Sequence, residues 1–210
     1  PKALLLGPTI LAMVPKRIEA NVIDAGRHKV VLGADALRAL DRDLKEAEAS
    51  ALFILGDENT LRHCLAELVA HAPQLRDAET IGVPAGEGSK SLSVGQDIWQ
   101  HLTVRAADRE ALLINLGGGV VTDLGGFIAG AYKRGIRCIH VPSTLMGMVD
   151  AAIGGKTGID LGGVKNMVGV FHDPVGVYVH VPFLRSLGKR ELLNGVAEMV
   201  KHGLVRDTSH

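Results

Sequence analysis

Short apolar runs alternate along this chain with longer segments of helical periodicity. The runs are residues 29–32, 51–55, 80–83, 111–116 and 136–141. Four to six apolar residues without polar alternation suit a strand buried on both faces of a parallel sheet. The intervening segments read as helices. One begins at residues 33–40, and a second is marked by Leu61, Leu65, Leu68 and Val69. A third carries Val94, Ile98 and Leu102. A fourth, over 120–133, turns Val120, Val121, Leu124, Phe127, Ile128 and Ala131 inward. Strands alternating with helices predict an α/β fold with a Rossmann-like, mainly parallel sheet and helices on both faces. Ligands of such sheets bind outside the carboxyl ends of the strands.

The two ends of the chain read differently. Residues 1–27 give no clear pattern. Within them, residues 4–14 are apolar, but eleven residues are too few to cross a bilayer. The alternation stops near residue 183, and residues 190–204 read as one amphipathic helix with nothing after it to pack on. The expected division is an α/β domain over 1–185, then residues 186–210 as the first helix of a second domain.

Composition adds three constraints. The chain is 47% apolar but only 3% aromatic, so its core is mainly aliphatic. The formal net charge is zero, which argues against nucleic acid or a membrane surface as partner. Cys64 and Cys138 read as buried free thiols of a reducing, cytoplasmic compartment.

Chemistry concentrates where glycine and charge mix, above all over 115–165. Gly117-Gly118-Gly119 follows an apolar run and precedes a helix with Asp123. A strand passing through glycines into a helix start suits a pyrophosphate, although Thr122 stands where the usual dinucleotide fingerprint has a third glycine. Glu87-x-x-Lys90 lies in a glycine-rich turn, where the carboxylate suits ribose hydroxyls and the lysine a phosphate; the simpler role is a cap with Ser89 or Ser91. Asp57 and Asn59 follow a strand in the same way, and either could be an N-cap. Asp150, Lys156, Lys165 and Asn166, with Arg134, are interleaved with glycines that make poor helix or strand, and the lysines suit a phosphorylated or carboxylated substrate. On the last helix, Glu198 and His202 are four apart and share a face, as a metal-chelating pair or, with Lys201, as plain helix ion pairs.

As a set these motifs resemble the 3-dehydroquinate synthase family of sugar-phosphate cyclases. The matching text is Gly86-Glu87-x-x-Lys90-Ser91, Gly117-Gly118-Gly119-x-x-x-Asp123, Tyr132-Lys133-Arg134-Gly135, Val141-Pro142-Ser143-Thr144-Leu145, Val149-Asp150-x-x-Ile153-Gly154-Gly155-Lys156-Thr157-Gly158, Lys165-Asn166 and Ala197-Glu198-Met199-Val200-Lys201. The resemblance implies an NAD site at Asp57, Asn59, Glu87, Lys90, Gly118, Gly119, Asp123, Ser143 and Thr144. It implies substrate contacts at Arg134, Asp150, Lys156, Lys165, Asn166 and Lys201. It makes Glu198 one of three protein ligands to a catalytic zinc or cobalt, and leaves His202 outside the ligand set. Asp150, Lys156, Glu198 and Lys201 would carry the chemistry, on a small sugar-acid phosphate, in a homodimer. Gly162-Gly163-Val164 stands where the family usually has Pro-Leu-Gly, and Gly188 replaces a common proline. The alternatives are a valiolone-type or deoxy-inosose-type cyclase, or a non-catalytic NAD-binding fragment.

Overall fold

The computed structural model describes residues 21–206. The apolar segment at 4–14 lies outside the described residues. Nine strands form among the described residues: β1 (Asn21–Asp24), β2 (Lys29–Leu32), β3 (Leu52–Asp57), β4 (Glu79–Val83), β5 (Leu112–Gly117), β6 (Arg137–Pro142), β7 (Lys156–Leu161), β8 (Val164–Phe171) and β9 (Gly176–Val179). The helices are α1 (Ala36–Glu46), α2 (Glu58–His63), α3 (Leu65–His71), α4 (Leu92–Val104), α5 (Gly119–Ala131) and α6 (Lys189–Arg206).

Seven strands make one sheet in the order β1-β2-β9-β6-β5-β3-β4, with every pair parallel except β1 with β2. From β3 the chain steps outward to β4, then returns to place β5 on the other side of β3. The order therefore reverses between β3 and β5, and at such a point the loops diverge and leave a crevice. The Rossmann-like expectation holds.

Alternation within the strands splits the core in two. Ile54, Leu112, Ile114 and Leu116 face α1 and α3, while Phe53, Leu55 and Leu113 face α4 and α5. Each such side chain, fully buried, is worth roughly 1.5–3 kcal/mol. Both faces are thus covered, which is why these strands read as continuous apolar runs.

Three expectations need correction. The glycine-rich stretch after Asp150, expected to form neither helix nor strand, contains the antiparallel hairpin β7–β8. Gly158 permits it: a Cβ there would meet the Val168 carbonyl oxygen at 2.9 Å. The fourth helix ends at Ala131, two residues early, because Lys133, Arg134 and Gly135 take positive φ of 50°, 70° and 113°. The single helix expected over Leu61 to Val69 is two, broken at Cys64, which closes α2 and opens α3.

Candidate functional site

Two clefts adjoin one another, the first at the carboxyl ends of the strands. The first, of about 920 Å3, is bounded by the ends of β3, β4, β5 and β6. Asp57, Asn59, Glu87, Lys90, Gly118, Gly119, Asp123, Ser143 and Thr144 all line it, so the nine residues expected at a cofactor site come together in one place. Lys165 lines it as well. The second cleft, of about 900 Å3, runs between the hairpin and the turn around Asp150, and is lined by Lys156 and the glycines beside it. Asp123, Asp150, Ala151 and Asn166 belong to both walls.

Local sequence explains the first cleft. Asp57 ends β3 and caps α2, its Oδ1 accepting from the Asn59 and Thr60 amides at 2.9 and 2.8 Å. Thr60 Oγ1 accepts from the Asp57 amide at 3.0 Å and completes a reciprocal cap. Gly118 is the N-cap of α5 and has no side chain to satisfy the helix's first N–H groups, and Gly119 and Val120 present that first turn to the cleft. A Cβ on Gly118 would meet Thr144 Cγ2 at 2.8 Å, and one on Gly119 would meet Ala151 at 3.2 Å. The glycines thus let the β5–α5 turn close against the turn after β6. Thr122, where the usual fingerprint has glycine, is buried and donates its hydroxyl to Gly119 O at 3.2 Å.

Charge in the cleft is largely paired. Lys90 Nζ donates to Asp123 Oδ2 at 2.8 Å, and Lys165 Nζ lies 3.4 Å from Glu87 Oε2. Burial pushes the Asp123 carboxyl above its ordinary range, against the pull of Lys90. Of the two serines weighed as caps, Ser91 takes that role at α4, its Oγ accepting from the Val94 amide at 3.4 Å, without Glu87 or Lys90 in the cap.

Helix α6 brings a third group beside the clefts. Glu198, His202 and Asp150 offer ligand atoms within 4.8 Å of one another. His202 Nε2 is 3.2 Å from Glu198 Oε1 and 3.4 Å from Asp150 Oδ1, and Glu198 also accepts from Lys201. The Lys201 hydrogen bond holds the Glu198 carboxyl below the ordinary range. Two carboxylates and an imidazole are a donor set that zinc accepts, so these residues fit part of a metal site.

Arg134 is not brought to either cleft. It follows α5 at the amino end of the sheet, and lines a separate hollow of about 560 Å3 with Asp108, Arg109, Glu110 and Lys133. Other residues line the clefts beyond those the resemblance implies. Thr60, His63, Cys64, Ser186, Leu187 and Glu191 line the first cleft, and Arg27, Asp173 and His202 the second. The Asp57-x-x-Thr60 spacing was a usable signal, and so was the four-residue step from Glu198 to His202. Ser186 and Leu187 carried none.

This architecture is that of the NAD-dependent sugar-phosphate cyclases. The structure of 2-deoxy-scyllo-inosose synthase complexed with carbaglucose-6-phosphate, NAD+ and Co2+ superposes with a TM-score of 0.81 at 23% identity, over 89% of this chain and 52% of that one. The structure of 2-epi-5-epi-valiolone synthase from Streptomyces hygroscopicus, with NAD+ and Zn2+ bound, gives 0.75 at 29% identity, over 91% and 53%. Residues 80–194 match the family model described as 3-dehydroquinate synthase N-terminal, and the chain belongs to that family. The 3-dehydroquinate synthase of Parabacteroides distasonis is 45% identical over 177 residues, which are 84% of this chain and 50% of that protein. The chain spans about half the length of the curated relatives it matches.

Proposed function

We propose that this chain is the cofactor-binding part of a 3-dehydroquinate synthase, a carbon–oxygen lyase of the shikimate pathway for aromatic amino acids. The reaction converts 3-deoxy-D-arabino-heptulosonate 7-phosphate to 3-dehydroquinate and phosphate. The observation that supports it most is the convergence of the family's cofactor residues on one cleft, sharing Asp123, Asp150 and Asn166 with a lysine-bearing second cleft.

In this reading NAD lies in the first cleft. The open N–H groups at the start of α5 receive the pyrophosphate through the cradle that Gly118 and Gly119 leave. Asp57, Glu87 and Asp123 accept from ribose hydroxyls, and Asn59, Ser143 and Thr144 complete the polar lining. Lys90 is the exception, because its ammonium is already engaged by Asp123 and Asn166. Lys156, Lys165 and Asn166 hold the substrate's phosphate and carboxylate. Asp150 and Lys201 hold and move protons at the reacting ring, and Glu198 is a ligand to zinc or cobalt, with further ligands from the rest of the enzyme. When bound, NAD supplies reversible hydride transfer and the divalent metal supplies Lewis-acid polarisation of an oxygen.

Residues 1–185 form the NAD domain in this reading, and residues 186–210 begin an α-helical domain. Apolar exposure on α6, with Leu193 and Met199 each 50% exposed, supports a partner domain over that helix. The homodimer reading draws support from Arg134, which faces away from its own clefts and would reach one only across an interface. The buried, unpaired Cys64 and Cys138 support a cytoplasmic site.

Calorimetric titration of this chain with NAD tests the cofactor half, and saturable binding is expected. The full-length enzyme, incubated with each sugar phosphate, should release inorganic phosphate from the heptulosonate substrate. Release only from sedoheptulose 7-phosphate or glucose 6-phosphate would move the assignment to a related cyclase. No NAD binding would sink both.

A further inference from the structure

The amino-acid pattern places Lys90 at a cofactor phosphate. The structure gives its ammonium other work. The side chain is only 4% exposed, although exposed Lys165 stands close by. Its Nζ donates to Asp123 Oδ2 at 2.8 Å and to Asn166 Oδ1 at 2.5 Å, and lies 3.8 Å from Glu87 Oε1. An ammonium has three donors; Asp123 and Asn166 take two, and Glu87 stands within ion-pair range of the third.

The main chain repeats the connection. Lys90 O accepts from the Asp160 amide at 2.7 Å, and Ser91 bridges Asp160 as a parallel β-bridge. Asp160 Oδ1 accepts from the Asn166 amide at 2.9 Å, which ties off the hairpin tip. Gly162 and Gly163 form that tip at φ of 61° and 79°, where glycine leaves the backbone many alternatives. What sets the tip's position is therefore the grip on its two sides: Asp160 held before it by the Lys90 carbonyl and Ser91, and Asn166 held after it by the Lys90 ammonium, with Lys165 beside Glu87. Of the four residues common to both cleft walls, Lys90 bonds two, Asp123 and Asn166.

We propose that Lys90 is a positioning residue: its buried ammonium clasps the β7–β8 hairpin to the cofactor loop and to α5, and so sets the two clefts against each other before any ligand arrives. The proposal rests on reading the first cleft as a dinucleotide site. NAD that orders the Glu87–Lys90 loop then also orders the tip that presents Lys165 and Asn166.

Amide hydrogen exchange on the hairpin tip, residues 160–168, tests it in the chain with and without NAD. Without ligand, Lys90→Met and Asn166→Ala should each speed exchange of the tip about tenfold, as loss of a charge-assisted bond implies. The double variant should add little, because both changes remove one link. In the wild type NAD should slow exchange at the tip, and in Lys90→Met that protection should disappear. Two results overturn the proposal. One is a tip that exchanges at the wild-type rate in both variants, with NAD affinity lost only in Lys90→Met; Lys90 is then a direct ligand contact. The other is a Lys90→Met protein with a lowered unfolding midpoint whose tip NAD still protects; the lysine is then only structural. If circular dichroism shows Lys90→Met unfolded, Asn166→Ala at the exposed tip decides alone. If the wild type binds no NAD, the cofactor reading falls, and the ligand-free exchange still decides the clasp.

Discussion

Gly118→Ala is the sharpest test of why the cofactor cleft begins with glycine. The backbone there has φ −76° and ψ −171°, which alanine adopts without strain. Any penalty therefore comes from space. The new methyl would lie 2.8 Å from Thr144 Cγ2 and 3.2 Å from its Oγ1. Thr144 is not free to turn away, because its Oγ1 accepts from the Gly147 amide at 3.1 Å and so starts the turn that leads to Asp150. Either that bond breaks or the β5–α5 turn backs off. Overpacking of this kind costs about 1–3 kcal/mol. In a domain of this size each kcal/mol lowers the melting temperature by roughly 2–4 °C, so a fall of about 2–12 °C is expected. NAD affinity, read by calorimetry, should fall about tenfold with the displaced Thr144 and the moved N–H groups. Thr144→Ser removes Cγ2 but keeps the hydroxyl. The double variant Gly118→Ala/Thr144→Ser should therefore recover most of the melting temperature and part of the affinity. A single variant as stable as the wild type, or a double variant no better than the single, would refute the steric account.

Other predictions use different physics. Asp57→Ala should lose both capping bonds and about 1 kcal/mol of stability, while Asp57→Asn keeps most of it; if Asp57 also meets a ribose, NAD titration should weaken in both. His140 is buried on β6 beside Asn115, and burial pushes its pKa down to about 3. Its folded pKa lies below the unfolded value of 6.5, so the unfolded chain binds the extra proton between about pH 3 and 6.5, and stability falls as pH drops through that window. Urea midpoints at pH 7 and pH 4.5 should differ less in His140→Leu than in the wild type; equal differences would refute it. Burial pushes the thiols of Cys64 and Cys138 up to about 11 and 12, so neither should react with iodoacetamide at pH 8 until the chain unfolds.

The parallel strands were legible because burial on both faces removes the polar alternation that other strands carry. Residues 52–57, 112–117 and 137–142 form within two residues of their apolar runs. The hairpin was not legible, because glycine in a strand has two meanings. Gly158 and Gly169 lie where two backbones nearly touch, yet a local reading counts them as strand breakers. Strand β9 was passed over because four buried residues beginning with glycine give too short a run to register. Its place between β2 and β6 is a long-range pairing that no local pattern encodes.

The candidate site was legible in its members and less so in their roles. Residue type tells how many donors or acceptors a side chain has; only the fold tells which are already taken. Lys90 and Lys165 look equivalent in the chain, two lysines among glycines. Lys90 is sunk between Asp123 and Asn166, while Lys165, 70% exposed at its side chain, is held among the described residues by Glu87 alone. A ligand anion can draw Lys165 away at small cost, because an exposed ion pair is worth at most about 1 kcal/mol. It cannot draw Lys90 away without leaving the Asp123 carboxylate half-buried and unpaired. Arg134 makes the same point through direction. Its motif places it in the family's chemistry, but the turn after α5 leaves it at the opposite end of the sheet from the clefts. Helix α6 reverses the case: Glu198 and His202, ambiguous as a chelating pair, gain meaning from Asp150, which lies 48 positions before Glu198 and is brought beside them by the turn after β6.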